Sequence, residues 1–190
     1  VTLAPKYSEI LPSQVNTKIM LSKNLTLKIP LLSSAMDTVT ESKMAIAIAK
    51  AGGIGVIHRN LDIKQQIREI KKVKSKNLLV GAAVGAGADE IKRAYAILKE
   101  GVDLIVVDTA HGHTKKVAQI IKKIKLKKKK KTSICAGNIA TPEAAKFLIK
   151  LGVNIIKVGI GPGSICTTRL VAGIGVPQLS AIINVKSGIK

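Results

Sequence analysis

From residue 28 onward, short aliphatic runs alternate with longer segments of helical periodicity, and this alternation constrains the fold more than any other feature. Consecutive parallel strands need crossovers of about a dozen residues or more, and each connection here is long enough. The predicted strands are Ile29–Ser33, Gly55–His58, Leu78–Val84, Leu104–Asp108, Ser133–Ala136 and Ile155–Val158. The predicted helices are Glu41–Ala51, Ile63–Val73, Asp89–Glu100, Lys115–Leu126 and Pro142–Leu151. The pattern predicts an α/β fold with a parallel sheet.

Residues typical of helix ends support these assignments. Thr141 precedes Pro142, which suits an N-cap followed by proline at the first helical position. Glycines follow three of the predicted helices, at positions 52, 101 and 152. Asp37 and Thr38 are interpreted as ordinary helix caps before the first helix.

Polar residues follow the predicted strands at their carboxyl ends, and this favours a TIM barrel over an open doubly wound sheet. They are Ser33 and Ser34, Asp108, Gly137 and Asn138, and the segment from Gly159 to Arg169. Active sites of (β/α)8 barrels are assembled at that end. Such barrels have eight strands and about 250 residues. We therefore expect residues 1–190 to form one partial TIM-barrel domain of about six βα units, with strands seven and eight absent.

Composition narrows the class of protein. Hydrophobic residues make up 46% of the chain, which excludes a disordered polyelectrolyte despite the net charge of +21. No apolar run reaches the roughly 18 residues of a membrane span, and the N-terminus lacks a signal-peptide pattern. We therefore expect a cytoplasmic protein with no membrane partner, in which Cys135 and Cys166 are free thiols.

Ten lysines lie between positions 115 and 131, on one predicted helix and the loop after it. They could bind a polyanion, or they could form a solvated helix end in a lysine-rich chain. Without arginine forks or interleaved aromatic residues, the second interpretation is favoured, and nucleic acid is not an expected partner.

The glycine-rich segment GIGPGSICTTR, residues 159–169, is the most informative motif. Its glycines allow several backbone groups to converge on an ion or phosphate. Lys157 and Arg169 would favour the thiolate of Cys166, which makes this cysteine a candidate nucleophile, although a passive cysteine in a flexible loop remains the alternative. Asp108 could accept hydrogen bonds from ribose hydroxyls or cap the next helix. His111 and His113 are interpreted as solvated loop residues rather than metal ligands.

Taken together, several segments resemble the inosine monophosphate dehydrogenase family. They are LLSSAMDTVTE (31–41), AGGIGVIHRN (51–60), LLVGAAVG (78–85), VVDTAHGH (106–113), CAGNIAT (135–141) and KVGIGPGSICTTRLVAGIGVPQLSAI (157–182). The resemblance implies a TIM barrel and the NAD-dependent oxidation of inosine 5'-monophosphate (IMP) to xanthosine 5'-monophosphate (XMP), in guanine nucleotide biosynthesis. In that chemistry a cysteine thiolate adds to C2 of the purine, hydride passes to NAD, and the thioimidate is hydrolysed.

The resemblance also implies roles for individual residues. Cys166 would be the nucleophile, and Thr167 would help to position the water. Ser164 would hold the nucleotide phosphate, with Ser34 on the opposite wall. The residues implied in NAD binding are Asp108 at the ribose, Thr109, Ala110 and Asn138, and the backbone of Gly159, Ile160 and Gly161 beside the nicotinamide. The carbonyls implied as ligands of a potassium ion belong to Gly161, Gly163 and Cys166.

Two departures from the family pattern are expected. Regulatory domains usually follow the second barrel helix, whereas here residues 73–77 lead directly into the third strand. The mobile flap, with its water-activating arginine, would lie beyond Lys190.

If complete, the enzyme would be a homotetramer. One alternative is the related NADPH-dependent guanosine monophosphate (GMP) reductase, although the DTAHGH and LVAGIGVPQL segments resemble the dehydrogenase more. The other is a non-catalytic remnant with a polyanion-binding lysine patch, and such a remnant should unfold without cooperativity.

Overall fold

The computed structural model describes residue 2 and residues 4–189, which form eight strands and seven α-helices. The strands are β1 (Ile19–Ser22), β2 (Leu25–Leu27), β3 (Leu32–Ser33), β4 (Ile54–Ile57), β5 (Val80–Val84), β6 (Leu104–Asp108), β7 (Ser133–Ile139) and β8 (Ile155–Val158). The helices are α1 (Ser42–Lys50), α2 (Ile63–Lys74), α3 (Ala88–Lys99), α4 (Lys115–Lys127), α5 (Pro142–Lys150), α6 (Thr168–Ala172) and α7 (Gln178–Ser187). A 3₁₀ turn, Pro12–Gln14, precedes β1.

Strands β3 to β8 form one parallel sheet whose spatial order is the order of the chain. In a doubly wound sheet the order of the strands reverses at a switch point, and helices cover both faces. Crossovers that are all right-handed and sequential place every crossover helix on one face. The sheet is therefore a curled part of a TIM barrel with helices outside, as the sequence predicts.

Alternate residues of each strand pack into two separate apolar clusters. In β6, Ile105 and Val107 face the helices, whereas Leu104 and Val106 face the barrel interior together with Cys135 of β7. Such alternation follows from the period of two along a strand. The near-continuous apolar strands are those of a sheet that is covered on both faces.

An antiparallel hairpin, β1 and β2, covers the amino-terminal end of the barrel and was not predicted from the sequence. Leu25 and Leu27 are each 1% exposed and belong to the interior cluster. The hydroxyls of Ser22 and Ser133 lie 2.6 Å apart, and Asn24 Nδ2 donates to the carbonyl of Lys130 at 2.8 Å. These contacts attach the hairpin to the start of β7.

The first and fifth strands of the sheet differ from prediction. The predicted strand Ile29–Ser33 is reduced to β3 because Pro30 has no N–H and the amides of Lys28 and Ile29 donate to the carbonyl of Gly52. The fifth strand, β7, continues past the predicted end at Ala136, since its pairing with β8 extends to Ile139. The other predicted ends lie within two residues of those observed.

The helix caps agree with prediction at α5 and disagree at α1. Thr141 accepts a hydrogen bond from the amide of Ala144, and the glycines at positions 52, 101 and 152 adopt positive φ. Asp37 and Thr38 do not cap α1, whose N-cap position is Glu41. The Asp37 carboxylate instead accepts hydrogen bonds from the backbone amide of Thr38 and the side-chain amide of Asn60.

Residues 75–79 connect α2 to β5, so the third strand of the sheet follows the second helix directly. No helix within the described residues has the length and apolar character that a bilayer crossing requires.

Candidate functional site

Two adjoining cavities open at the carboxyl ends of the parallel strands. The larger, of about 550 Å³, is polar and is lined by Ala35, Met36, Asp37, His58, Arg59, Asn60, Asp108, Thr109, Ala110, Asn138 and Lys157. The smaller, of about 310 Å³, descends into the apolar barrel interior and includes Ser34 and Cys135 in its lining. Ala35, Asp108 and Lys157 belong to both, so one opening connects a polar surface with the barrel interior.

Asp108, at the end of β6, lies at the boundary between the two cavities and forms an ion pair with a residue of β8, two strands away in the sheet. Its Oδ1 lies 2.7 Å from Nζ of Lys157, at the end of β8. Asp108 does not cap α4, because Thr114 holds that position and accepts from the amide of Val117. The helix-cap interpretation of Asp108 is therefore wrong, and its carboxylate faces the cavity.

Thr109 and Asn138 form a hydrogen-bonded wall of the larger cavity. The hydroxyl of Thr109 donates to the carbonyl of Gly137 at 2.8 Å, and the amide of Asn138 donates to the carbonyl of Thr109 at 2.8 Å. Oδ1 of Asn138 is buried without a hydrogen-bond partner among the described residues. A buried acceptor of this kind costs free energy unless a ligand or water supplies a donor.

His58, Asp37 and Asn60 form a polar part of the same wall that the sequence analysis did not identify as a site. His58 is 2% exposed. Its Nδ1 accepts from the amide of Asn60, which leaves Nε2 to donate to Oε1 of Glu41 at 3.3 Å. The amide side chain of Asn60 lowers the pKa of Asp37 by donating to its carboxylate. The sequence signal that could have indicated these residues is their position in the loops that follow the first two strands of the sheet.

The glycine-rich loop after β8 is held at both ends by backbone contacts. The amide of Gly159 donates to the carbonyl of Ile139, and a short antiparallel bridge joins Ile160 to Val176. Gly161 adopts a φ of 66°, a left-handed conformation that glycine adopts without strain. The loop thus returns towards the sheet before α7 begins.

Cys166 is partly exposed on this loop, in surroundings that favour its thiolate. Its Sγ lies 3.3 Å from the hydroxyl oxygen of Thr168. Hydrogen bonding by Thr168, together with the positive charge of Arg169, lowers the pKa of Cys166. The thiol is therefore more reactive than an ordinary exposed cysteine at neutral pH.

The predicted site residues fall into two groups. Asp108, Thr109, Ala110 and Asn138 meet in the larger cavity, and Ser34 lines the smaller one. Cys166, Thr167 and Ser164 lie on the glycine-rich loop, outside the linings of these two cavities, and Gly159, Ile160 and Gly161 form the start of that loop.

Of the three carbonyls implied as potassium ligands, that of Gly163 is not free for the ion in this arrangement. The carbonyl of Gly163 already accepts hydrogen bonds from the amide of Cys166 and from Nη2 of Arg169, each at 3.1 Å. A guanidinium at this carbonyl supplies the positive charge that a cation would bring. We therefore derive no step through potassium.

His111 and His113 are exposed, and the ring of His113 packs against Phe147 with centroids 4.6 Å apart. Within the described residues, no group of three or more His, Cys, Asp or Glu side chains is placed to hold a metal ion. Cys135, by contrast with Cys166, is 6% exposed, and burial raises its pKa to about 12.

Eight of the ten lysines between positions 115 and 131 lie in the carboxyl-terminal half of α4 and the loop before β7, and Lys115 and Lys116 begin the helix. None of the ten belongs to the lining of either cavity. Lys125 and Lys128 donate to the carbonyls of Leu151 and Thr132, each at 3.0 Å. Among the described residues, none of the ten lysines lies within ion-pair distance of a carboxylate.

A polar cavity at the carboxyl end of sequentially ordered parallel strands, next to a loop carrying an activated thiol, defines an α/β-barrel enzyme domain. The model of the IMP dehydrogenase / GMP reductase domain matches residues 1–190, and the chain belongs to that family.

Several inosine-5'-monophosphate dehydrogenases are similar to this chain. That of Borreliella burgdorferi is 46% identical over 97% of this chain and 58% of its own length. The enzyme of Cryptosporidium parvum is 44% identical over 96% of this chain and 55% of its own. The enzyme of Aquifex aeolicus is 32% identical over 100% of this chain and 65% of its own. The chain thus spans a little over half the length of the first two relatives and 65% of the third.

Proposed function

We propose that this chain carries the nucleophile-bearing part of an NAD-dependent IMP dehydrogenase, which oxidises IMP to XMP in guanine nucleotide biosynthesis. The observation that carries the proposal is the setting of Cys166, where a hydroxyl and a guanidinium lower the pKa of the thiol. The similarity to dehydrogenases named for IMP supports this choice of substrate.

In the proposed reaction, the thiolate of Cys166 adds to C2 of the purine and forms a C–S bond. The hydride at C2 must then leave with its bonding electron pair, and NAD held beside Gly159, Ile160 and Gly161 would supply the acceptor. Water attacks the resulting thioimidate with Thr167 helping to position it. The C–S bond breaks, XMP forms and the thiolate is restored. Ser164 holds the phosphate of the nucleotide, with Ser34 on the opposite wall.

The larger cavity fits the ribose of a dinucleotide cofactor. Oδ1 of Asp108 is paired with Lys157, whereas Oδ2 has no partner among the described residues, and Oδ1 of Asn138 is a buried acceptor without a donor. Two neighbouring ribose hydroxyls are suitable donors for two such acceptors. Thr109 and Ala110 complete this wall, and Gly159, Ile160 and Gly161 would lie beside the nicotinamide. A cytoplasmic location and a homotetramer remain proposals from the family resemblance. Potassium would bind at Gly161, Gly163 and Cys166 only if Arg169 left the carbonyl of Gly163.

The nucleophile can be tested with 2-chloroinosine 5'-monophosphate. Attack by the thiolate at C2 expels chloride and leaves a stable thioether, so mass spectrometry should find one nucleotide adduct on Cys166. Cys166→Ala should form no adduct, and Cys135→Ala, which removes the buried thiol, should form it as the unmodified chain does. NADH formation from IMP is measured in parallel. Absence of an adduct on Cys166, or oxidation of NADPH with GMP in place of NADH formation, would contradict the proposal.

A further inference from the structure

Arg59 lies two residues after the end of β4 and lines the larger cavity. Within the part of the chain that the structure describes, its side chain has no hydrogen-bond or ion-pair partner. Arg93, on α3, differs in this respect. Its guanidinium is held by Glu90, by the carbonyl of Leu61 at 3.0 Å and by Oε1 of Gln66 at 2.9 Å. Arg59 is therefore a cation whose hydrogen-bonding capacity remains available to a ligand.

The guanidinium of Arg59 lies against the backbone of Gly85, which follows β5. A Cβ at Gly85 would lie 3.2 Å from Cζ and 3.3 Å from Nη1 of Arg59. Strand β5 is the neighbour of β6, which ends at Asp108, and adjacent strands are about 4.8 Å apart. In this cavity the guanidinium of Arg59 therefore lies at the end of β5. The acceptor oxygens of Asp108 and Asn138, which have no partner among the described residues, lie at the ends of β6 and β7.

We propose that Arg59 binds the diphosphate of a dinucleotide whose ribose hydroxyls donate hydrogen bonds to Asp108 and Asn138. The inference rests on the proposed function, because it assumes that this cavity binds a dinucleotide. Only the C5' methylene and one ester oxygen separate a ribose ring from its phosphate, so the adjoining strand ends match the two groups. A planar guanidinium can donate two parallel hydrogen bonds to phosphate oxygens.

The phosphate of the purine nucleotide is the other anion in the proposed reaction, and it is assigned to a different place. Ser164 lies on the glycine-rich loop after β8, outside the lining of the cavity that contains Arg59. The geometry of Arg59 therefore favours the dinucleotide's diphosphate over the monophosphate.

Two ligands separate the contribution of the diphosphate from that of the ribose. ADP-ribose contains the hydroxyls and the diphosphate, whereas nicotinamide riboside contains a ribose and no phosphate. Their binding to the whole chain is measured by isothermal titration calorimetry. Arg59→Gln should weaken ADP-ribose binding about tenfold or more and leave nicotinamide riboside unchanged, because it removes charge-assisted bonds to phosphate alone.

Two further variants serve as controls. Arg68→Gln makes the same charge change on the exposed face of α2, outside the cavity, and should leave ADP-ribose binding unchanged. Arg59→Lys keeps the charge but loses the planar fork, and should give an intermediate affinity. Circular dichroism checks that each variant is folded.

The outcomes distinguish this inference from the proposed function. If Asp108→Asn weakens the binding of both ligands while Arg59→Gln weakens the binding of neither, the role assigned to Arg59 is wrong. The proposal that the cavity binds a dinucleotide is then unaffected. Equal losses for both ligands with Arg59→Gln, or an equal loss with Arg68→Gln, also overturn the assignment. If the unmodified chain binds neither ligand, both the inference and the cofactor site of the proposed function are wrong.

Discussion

The two cysteines show how local surroundings decide the chemistry of one residue type. Cys135 faces the barrel interior, where burial raises its pKa to about 12. Cys166 lies on a loop where the hydroxyl of Thr168 and the charge of Arg169 lower its pKa. The sequence predicts two free thiols and favours Cys166 through its neighbours. The thiol of Cys135 is unreactive because the tertiary fold buries it, and no local sequence motif indicates this burial.

The pH dependence of alkylation tests this difference. The rate of iodoacetamide labelling follows the thiolate, which forms as pH rises through the pKa. We expect the midpoint for Cys166 to lie below that of an ordinary thiol and to move upward in Thr168→Val, which lacks the hydroxyl. Cys135 should be labelled only after unfolding. Peptide mass spectrometry measures both sites.

Thr167→Val provides the matched control for that experiment, because the hydroxyl that contacts Sγ of Cys166 belongs to Thr168 and not to Thr167. Its midpoint should equal that of the unmodified chain. An unchanged midpoint in Thr168→Val, or rapid labelling of Cys135 in the folded chain, would show that the assigned surroundings are wrong.

At the scale of elements, the sequence predicts the long βα units well and the short elements poorly. Strands β6 and β8 have their predicted bounds, because aliphatic runs flanked by helices of clear periodicity leave little choice. Helices α6 and α7 were missed because α6 has only five residues and because Gly173, Gly175 and Pro177, which separate the two helices, are typical of a loop. The hairpin was missed because its two strands have four and three residues, and their burial depends on the barrel they cover.

The hairpin should make a large contribution to stability despite its size. We expect Leu27→Ala to lower the free energy of unfolding by about 2–5 kcal/mol, because it removes a fully buried side chain from the interior cluster. Urea denaturation followed by circular dichroism measures the change.

Thr26→Ala changes the exposed residue beside it on the same strand and should cost less than about 0.5 kcal/mol. Equal effects of the two substitutions would mean that the hairpin does not pack into the barrel.

At the scale of the whole molecule, the net charge of +21 is spread unevenly. The ten lysines between positions 115 and 131 lie on α4 and the loop that follows, where like charges repel one another. The sequence predicts this concentration of charge. Only the fold shows that eight of the ten, from Lys122 onward, lie away from the cavities, whereas Lys115 and Lys116 begin α4.

We expect Lys123→Glu to raise the free energy of unfolding by about 0.5 kcal/mol at low ionic strength. The substitution replaces a repulsive pair with Lys127, four residues later on α4, by an attractive one. The gain should shrink as sodium chloride is added, because salt screens exposed charges. Thermal unfolding at two salt concentrations measures both effects.

Lys6→Glu makes the same change in net charge outside α4 and separates the local pair from the overall repulsion. An equal gain in that variant would assign the effect to net charge alone, and no gain in Lys123→Glu would contradict the prediction.

The sequence by itself determined the βα alternation, the polar residues at the strand ends, the glycine-rich cysteine loop and the family resemblance, because these depend on local periodicity and residue type. The tertiary structure decided which of these groups meet. It pairs Asp108 with Lys157, separated by 49 positions, and places the Arg169 guanidinium against the carbonyl of Gly163. Among the described residues, it leaves Oδ1 of Asn138 and the guanidinium of Arg59 without partners in one cavity. Such contacts arise from the register and curvature of neighbouring strands, which bring distant residues together and which no short segment encodes.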